Sequence, residues 1–232
     1  MSRRRLFGYA ALLFALAAIV FMPLRTIIGG DGVIARKVDG IIWDGSIRDL
    51  RVGRLPLGDL NARLSFWPLF LGRAQILLSR GDAQFAPGLT GSVTRRIGGF
   101  SVENLRATLP VANLLAPLPI EKLEVQDFSA RFIAGRCAEA GGSVRLTVAS
   151  GIAGLDLANG LLGKPRCDRG QLLLPLLSQS SMEHVDIRIA GDGNYSATIL
   201  LEGDRTEQAA VLVLSGFRSV SGGYRTVRKG RL

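Results

Sequence analysis

No group of side chains in this sequence of 232 residues has the types and spacing of a catalytic site. His184 is the only histidine, and a general base needs a partner within hydrogen-bond reach. The serines of residues 178–181 lack a GxSxG elbow, and acidic residues such as Asp39 and Asp59 fall at predicted turns without metal-ligand spacing. The sequence therefore predicts that the protein is not an enzyme and holds no cofactor or metal ion.

The two cysteines, Cys137 and Cys167, are the other reactive side chains. Neither lies in a CxxC motif, which disfavours a zinc site or a redox role. In an oxidising compartment two such thiols are expected to pair, closing a loop of about 30 residues and contributing roughly 3 to 4 kcal/mol in the chain-entropy model. The alternative is two separate buried free thiols.

The compartment is indicated by the N-terminal sequence. Residues 6–24 form an uncharged apolar run, with Arg3, Arg4 and Arg5 before it and Arg25 after it. At a rise of about 1.5 Å per residue the run covers about 28 Å, close to the roughly 30 Å of a bilayer core. It predicts a single transmembrane helix. A cleavable signal peptide is one alternative, although its end lacks a small-x-small site, and a buried core helix is another.

The arginines ahead of the run place the N-terminus in the cytoplasm by the positive-inside rule. We therefore predict a bacterial inner-membrane protein with a cytoplasmic N-terminus (residues 1–5), a transmembrane helix (6–24) and a periplasmic β-rich domain (25–232). This topology excludes nucleic acid as a partner. The scattered arginines of the mildly basic exported part are typical of the solvated face of a sheet, and attraction to anionic lipid headgroups is the alternative.

Beyond the apolar run, the hydrophobic period changes to two, which predicts half-buried strands. Alternation is clear in residues 143–148, and in residues 120–133 it continues with a register change near Asp127. Residues 185–190 and 195–202 flank the turn GDGN and make the clearest hairpin. The predicted fold class is mainly β: an elongated, curved antiparallel sheet, forming an open trough or a partial barrel, after the N-terminal helix.

Two short segments, residues 111–115 and 155–162, are candidates for single helical turns in this β-rich sequence. The apolar face of the strands has two interpretations, an ordinary core or a groove for acyl chains. An aromatic cluster at Phe66, Trp67 and Phe70 is broken by Pro68. It is either a core plug at a strand end or an exposed knob for a partner or a membrane interface.

The first predicted strand pair carries a family resemblance. A Gly-x-x-Trp-x-Gly turn, in which Trp43 is expected to be a buried anchor, precedes an aliphatic strand and the sequence LPLGDL. With the N-terminal anchor and the two later cysteines, this opening resembles the type II secretion system protein N family. The residues that carry the likeness are Gly40, Trp43, Gly45, Leu50, Leu55 and Gly58.

The resemblance implies an accessory inner-membrane component of the machinery that exports folded proteins from the periplasm across the outer membrane. Such a protein works by contacts with other inner-membrane and periplasmic subunits, and exposed strand edges would allow a partner to add a strand. Similar openings occur in AsmA-like envelope proteins implicated in lipid handling. The alternative function is therefore the binding or conduction of lipid in an apolar β trough.

Overall fold

A computed structural model describes residues 14, 17, 21–26, 33–53, 55–80, 88–110, 120–148 and 160–231. Most of the predicted transmembrane run, residues 6–24, lies outside these residues, as does the predicted helical turn at residues 111–115. Within the part that is described, no helix has both the length and the apolar character needed to cross a bilayer.

Strands make up most of the described chain, and two short helices accompany them. The helices are α1 (Phe66–Leu69) and α2 (Ala209–Leu214), and single 3-10 turns lie at Leu24–Thr26 and Thr206–Gln208. The strands are β1 (Val33–Ile34), β2 (Lys37–Ile41), β3 (Asp44–Val52), β4 (Leu55–Leu64), β5 (Ala74–Arg80), β6 (Leu89–Arg96), β7 (Gly99–Pro110), β8 (Ile120–Ile133), β9 (Arg136–Val148), β10 (Leu161–Gly163), β11 (Arg166–Asp168), β12 (Gln171–Leu177), β13 (Glu183–Ile189), β14 (Asn194–Glu202), β15 (Arg218–Val220) and β16 (Gly223–Arg231).

All the described strands belong to one antiparallel sheet. The strand order is β1-β3-β4-β5-β6-β7-β8-β9-β10-β12-β13-β14-β16-β15, while β2 also pairs with β3, and β11 also pairs with β12. Most neighbours in the sheet are neighbours in sequence, which short hairpin connections permit. The order begins and ends on different strands, so the sheet is open. The prediction of a mainly β, antiparallel fold is confirmed.

The predicted GDGN hairpin joins β13 to β14. Gly193 adopts a left-handed φ of 84°, and the Asp192 carboxylate accepts a hydrogen bond of 2.9 Å from the backbone N–H of Asn194. In contrast, the prediction of a helical turn at residues 155–162 is wrong for Leu161 and Leu162, which lie in β10. The residues of this segment before position 160 lie outside the described part of the chain. Leu161 is 1% exposed and pairs with Leu146 of β9, so burial in the sheet overrides helix propensity there.

Three strands contain a bulge at the same short sequence pattern: an aliphatic residue, any residue, Asp or Asn, then Leu or Phe. The third residues, Asp49, Asn104 and Asp127, have φ angles of 52°, 52° and 50°. The strand register shifts at each of them, which confirms the register change predicted near Asp127. Asp and Asn adopt this left-handed conformation more readily than other residues that carry a Cβ atom. Bulges of this kind bend a strand and increase its twist.

One face of the sheet is buried across most of its width. Leu60 of β4, Leu146 of β9, Leu176 of β12 and Ile199 of β14 are each 3% exposed or less. At the C-terminal end of the sheet, Leu212 of α2 and Phe217 join the same cluster. Alternate residues of each strand supply this face, as the period of two predicts.

A disulfide joins Cys137, near the start of β9, to Cys167 of β11, with a Cα–Cα distance of 5.5 Å. The two cysteines therefore are not free thiols. Cys137 belongs to a second, smaller buried cluster with Ala130, Phe132 and Leu172. The cross-link ties β11 to the long β8–β9 hairpin, with which it has no strand pairing of its own.

Removal of the disulfide is expected to lower the free energy of unfolding. The double variant Cys137→Ala, Cys167→Ala should lose about 2 to 4 kcal/mol, because the cross-link spans 30 residues and restricts the unfolded chain. Urea denaturation of the full chain in detergent, followed by far-UV circular dichroism, measures the loss. The reduced parent protein is the control and should match the variant. Equal stability of the oxidised parent, the reduced parent and the variant would contradict the prediction.

Asn104 offers a separate test of the bulges, because its side chain makes no hydrogen bond in the described structure while its φ is 52°. Asn104→Val should cost about 1 to 3 kcal/mol of unfolding free energy, since a β-branched residue is strained in the left-handed region. Asn104→Gly, the matched control, should cost much less. The same denaturation experiment measures both, and a valine variant as stable as the glycine variant would rule out a left-handed residue at this position.

Candidate functional site

The glycines of the family-like turn allow a close backbone approach. Gly40 and Gly45 pair across the β2–β3 hairpin, and Gly40 has a φ of +91°. A Cβ atom on Gly40 would lie 2.5 Å from the carbonyl oxygen of Asp44, and one on Gly45 would lie 2.5 Å from the Leu24 side chain. Side chains at these positions would therefore displace either the turn or the segment that packs on it.

That packing segment is the end of the apolar N-terminal run. Pro23 forms a β-bridge with Ile41, and the Ile42 N–H donates a hydrogen bond of 3.0 Å to the Met22 carbonyl. Leu24 is 2% exposed and lies against Gly45. The Gly-x-x-Trp-x-Gly turn thus fastens residues 22–24 to the first hairpin of the sheet.

The remaining motif residues belong to the bulged β3–β4 pair. Leu50 is 6% exposed and pairs with Gly58, which has a φ of +72°. The backbone of Leu55 pairs with that of Val52 at the other end of the hairpin. These three residues shape the strand pair and do not converge on the turn.

Trp43 lies in the turn of this hairpin and contacts a group of exposed aromatic rings. We call the four rings together the aromatic cluster: Trp43, Phe66, Trp67 and Phe70. The ring centroids of Trp43 and Phe66 lie 5.7 Å apart, and those of Phe66 and Phe70 lie 5.0 Å apart. Trp43, which the sequence predicts to be a buried anchor, is half-buried. Its Nε1 atom is buried and has no hydrogen-bond partner among the described residues. Trp67 and Phe70 are 78% and 69% exposed. The core-plug interpretation is therefore wrong for these two rings.

The sequence around α1 explains why the rings project. Pro68 lies in the first turn of this four-residue helix, where a missing N–H costs little. The helix ends at once, because the Leu71 N–H bonds to the Pro68 carbonyl and the chain returns into β5. None of the four residues of this helix is buried in the described structure. Its apolar side chains therefore remain at the surface.

A groove of about 380 Å³ lies beside α1. Trp67 and Phe70 form part of its wall, and Arg73, Arg96 and Glu103 supply its charged groups. The Nε atom of Arg96 is buried and has no hydrogen-bond partner among the described residues, whereas Glu103 accepts a hydrogen bond of 2.8 Å from Ser101. The groove thus combines an apolar wall with an excess of basic charge.

The C-terminal end of the sheet presents a second candidate surface. Strand β16 pairs with β14 along its whole length, but β15 covers only residues 223–225 on its other side. Just before β16, the Gly203 N–H donates a hydrogen bond to the Gly222 carbonyl. Because hydrogen-bonded pairs recur at every second residue of two antiparallel strands, the even-numbered residues of β16 bond to β14. Val227, Lys229 and Arg231 therefore point their backbone N–H and C=O groups away from the sheet. We call these three residues the open edge.

The first edge of the sheet is better protected than the open edge. Strand β1 has only two residues, and β2 is held at one end by the Pro23 bridge. Lys37 and Asp39 of β2 form a salt bridge of 2.9 Å. Short strands and charged side chains are common ways in which proteins prevent pairing at an edge.

A buried polar network that the sequence did not reveal joins the β12–β13 turn to the loop after β14. Glu183 is 5% exposed, forms an ion pair with Arg205, and accepts hydrogen bonds of 2.7 and 2.8 Å from Ser178 and Ser180. Burial acts to raise the pKa of Glu183, but the hydrogen bonds from Ser178, Ser180 and Arg205 outweigh it and lower the pKa below its ordinary value of 4.5. The network fixes one end of the β13–β14 hairpin.

The candidate catalytic groups do not assemble in the described part of the chain. The Nε2 atom of His184 lies 2.8 Å from the Ser181 carbonyl oxygen, and the hydroxyls of Ser178 and Ser180 bond to Glu183 instead. Within the same described residues, no three His, Cys, Asp or Glu side chains are grouped to hold a metal ion. The conspicuous surface groups are the aromatic cluster and the basic open edge.

These features define an open antiparallel β-sheet protein with an aromatic surface near one end and, among the described residues, a strand edge without a partner at the other. The family model of type II secretion system protein N matches residues 31–227, so the chain belongs to that family. The family predicted from the sequence is thereby confirmed. Comparison with curated proteins and with solved structures finds no match to this chain.

The Glu183 network predicts a specific acid sensitivity. Glu183→Gln should lower the free energy of unfolding by about 3 kcal/mol at neutral pH, because it leaves the buried Arg205 without its counter-charge. Since the folded pKa of Glu183 is below 4.5, its contribution is present above that pH and is lost as the pH falls through the folded pKa.

Denaturation of both proteins at several pH values measures this effect. The stability difference between the parent and the Glu183→Gln variant should shrink as the solution is acidified below pH 4.5. Glu202→Gln is the matched control on the same hairpin, because Glu202 is exposed. A difference that stays constant with pH would show that the ionised carboxylate is not what stabilises the network.

Proposed function

We propose that this protein is a non-enzymatic accessory component of the type II secretion machinery, which acts through protein–protein contacts in the periplasm. Membership of the protein N family, over residues 31–227, carries the proposal. The open edge of β16, which has no strand partner in the part of the chain that the structure describes, supplies a surface for such contacts. Together these two observations favour an assembly role over a chemical one.

The proposed topology is a single inner-membrane span at residues 6–24, with the N-terminus in the cytoplasm and residues 25–232 in the periplasm. The apolar run and its preceding arginines support this topology. A disulfide between Cys137 and Cys167 is compatible with an oxidising periplasm. The fastening of Met22 to Ile42 would start the sheet directly at the membrane surface.

The sheet is proposed to be elongated and curved. Bulges at Asp49, Asn104 and Asp127 support curvature, because each bends its strand locally. A lipid-filled trough is less well supported. Side chains such as Leu146, Leu176 and Ile199 on the apolar face are at most 1% exposed, and an acyl chain would need them accessible.

The open edge is the proposed contact with another secretion subunit. An extended partner segment would add a strand to β16, with its backbone bonding to Val227, Lys229 and Arg231. Lys229 and Arg231 are exposed and favour a partner that carries acidic side chains. Leu214 and Val213 on the neighbouring helix α2 are 88% and 56% exposed and add apolar surface close to the same end of the sheet.

A proline at position 229 tests this contact. Lys229→Pro removes an N–H that points away from β14, so it should reduce partner recovery about tenfold or more while the fold persists. Lys229→Gln is the matched control, because it removes the same charge but keeps the N–H. The measurement is recovery of secretion subunits with the tagged full chain from detergent-solubilised membranes.

Equal recovery with Lys229→Pro and Lys229→Gln would contradict strand addition at this edge. Loss with both variants would instead assign the contact to the lysine charge. Thermal unfolding of each variant checks that the sheet is intact. Secretion subunits that still assemble unchanged with one another and with the anchor after deletion of residues 25–232 would count against the assembly role as a whole.

A further inference from the structure

The aromatic cluster forms a patch of large apolar side chains at the protein surface. Phe66, Trp67 and Phe70 are 54%, 78% and 69% exposed, and the adjacent Leu71 is 71% exposed. The rings contact one another, with Trp67 and Phe70 centroids 6.2 Å apart, so the surface is continuous. Contiguous exposed apolar patches of this kind mark sites that another phase or partner covers.

The cluster lies next to the end of the apolar run. The Ile42 N–H bonds to the Met22 carbonyl at 3.0 Å, and the Ile42 carbonyl accepts the Leu64 N–H at 2.9 Å. Backbones paired in this way lie about 4.8 Å apart, so Met22 and Leu64 lie within roughly 10 Å of each other. Helix α1 begins two residues after Leu64. The rings are therefore held close to the point where residues 6–24 would leave a bilayer.

The charges beside the rings favour an anionic surface. Arg73 and Arg96 line the groove next to Trp67 and Phe70, and neither forms an ion pair within the described part of the chain. Glu103 also lines the groove, so its charge offsets one of the two arginines and a net positive charge remains. Arginine side chains bind phosphate oxygens well, and basic residues near a membrane surface are attracted to anionic headgroups.

We infer that the aromatic cluster docks onto the headgroup region of the bilayer that residues 6–24 cross. This inference rests on the span in the proposed function. Trp67 and Phe70 lie at the boundary between headgroups and acyl chains, where amphipathic and aromatic rings are enriched, and Arg73 and Arg96 face lipid phosphates. Docking would hold the first strands against the membrane, so that the open edge at the opposite end of the strand order stays available to partners.

The two tryptophans of the chain make the docking measurable. Trp43→Phe leaves Trp67 as the only tryptophan, and it keeps a ring beside Phe66 while removing a buried N–H that has no partner. The full-length variant is reconstituted into vesicles of phosphatidylethanolamine and phosphatidylglycerol, with plain or brominated acyl chains. Bromine quenches only nearby tryptophan, so the Trp67 emission is expected to fall roughly twofold in brominated vesicles.

Trp67→Phe is the matched control, because it leaves the half-buried Trp43 as the only tryptophan. Its emission should fall much less than that of Trp67. Replacing phosphatidylglycerol by phosphatidylcholine should weaken the quenching of Trp67, since the anionic headgroups are lost. Unchanged quenching after this replacement would overturn the role of Arg73 and Arg96.

Alkaline carbonate extraction separates failure of the docking from failure of the span. A chain that stays in carbonate-washed vesicles while Trp67 emits equally in plain and brominated lipid overturns the docking but leaves the span intact. In that case the cluster faces a protein. A chain that carbonate extracts overturns the span, and the docking that depends on it.

Discussion

Backbone pairing between adjacent antiparallel strands is the interaction on which the rest of this structure depends. A single open sheet buries one apolar face through side chains such as Leu146 and Leu176, yet it must leave an edge at each end. The two edges differ in how much of their backbone is covered by other parts of the chain. The first has a two-residue strand and a bound N-terminal segment, whereas the last leaves Val227, Lys229 and Arg231 without a strand partner in the described chain. The sheet is therefore asymmetric, because its first edge is covered by the N-terminal segment and its last edge is available to a partner.

The local chemistry of the strands could be predicted from sequence. Alternation located β13 and part of β9, and the GDGN turn located the hairpin between β13 and β14. The break in alternation near Asp127 located a bulge. A further signal was available and was missed: the pattern of an aliphatic residue, any residue, Asp or Asn, and Leu or Phe occurs at all three bulges, at residues 47–50, 102–105 and 125–128. At these three positions the strand takes a residue that tolerates positive φ. Residues 57–60 also match the pattern, but Asp59 does not have a positive φ, so the pattern alone does not identify a bulge.

Features set by long-range contacts could not be predicted in this way. The segment Ala209–Leu214 has the composition of a strand but forms helix α2, because Leu212 packs into the core as the chain turns towards β15. Glu183 and Arg205 are 22 residues apart and meet only through the β13–β14 hairpin. The exposure of Trp67 and Phe70 likewise depends on a helix too short to be covered, which the presence of Pro68 alone does not specify.

The proposed contact between the open edge of β16 and another subunit of the secretion machinery can be tested in living cells. The most direct measurement is photocrosslinking in intact cells, with a photoreactive phenylalanine analogue in place of Val227 in the full chain. A specific crosslink to another secretion subunit is expected at position 227, and none is expected at the exposed position 95 within the paired strand β6. A crosslink pattern at position 227 that is identical to that at position 95 would contradict the proposed contact.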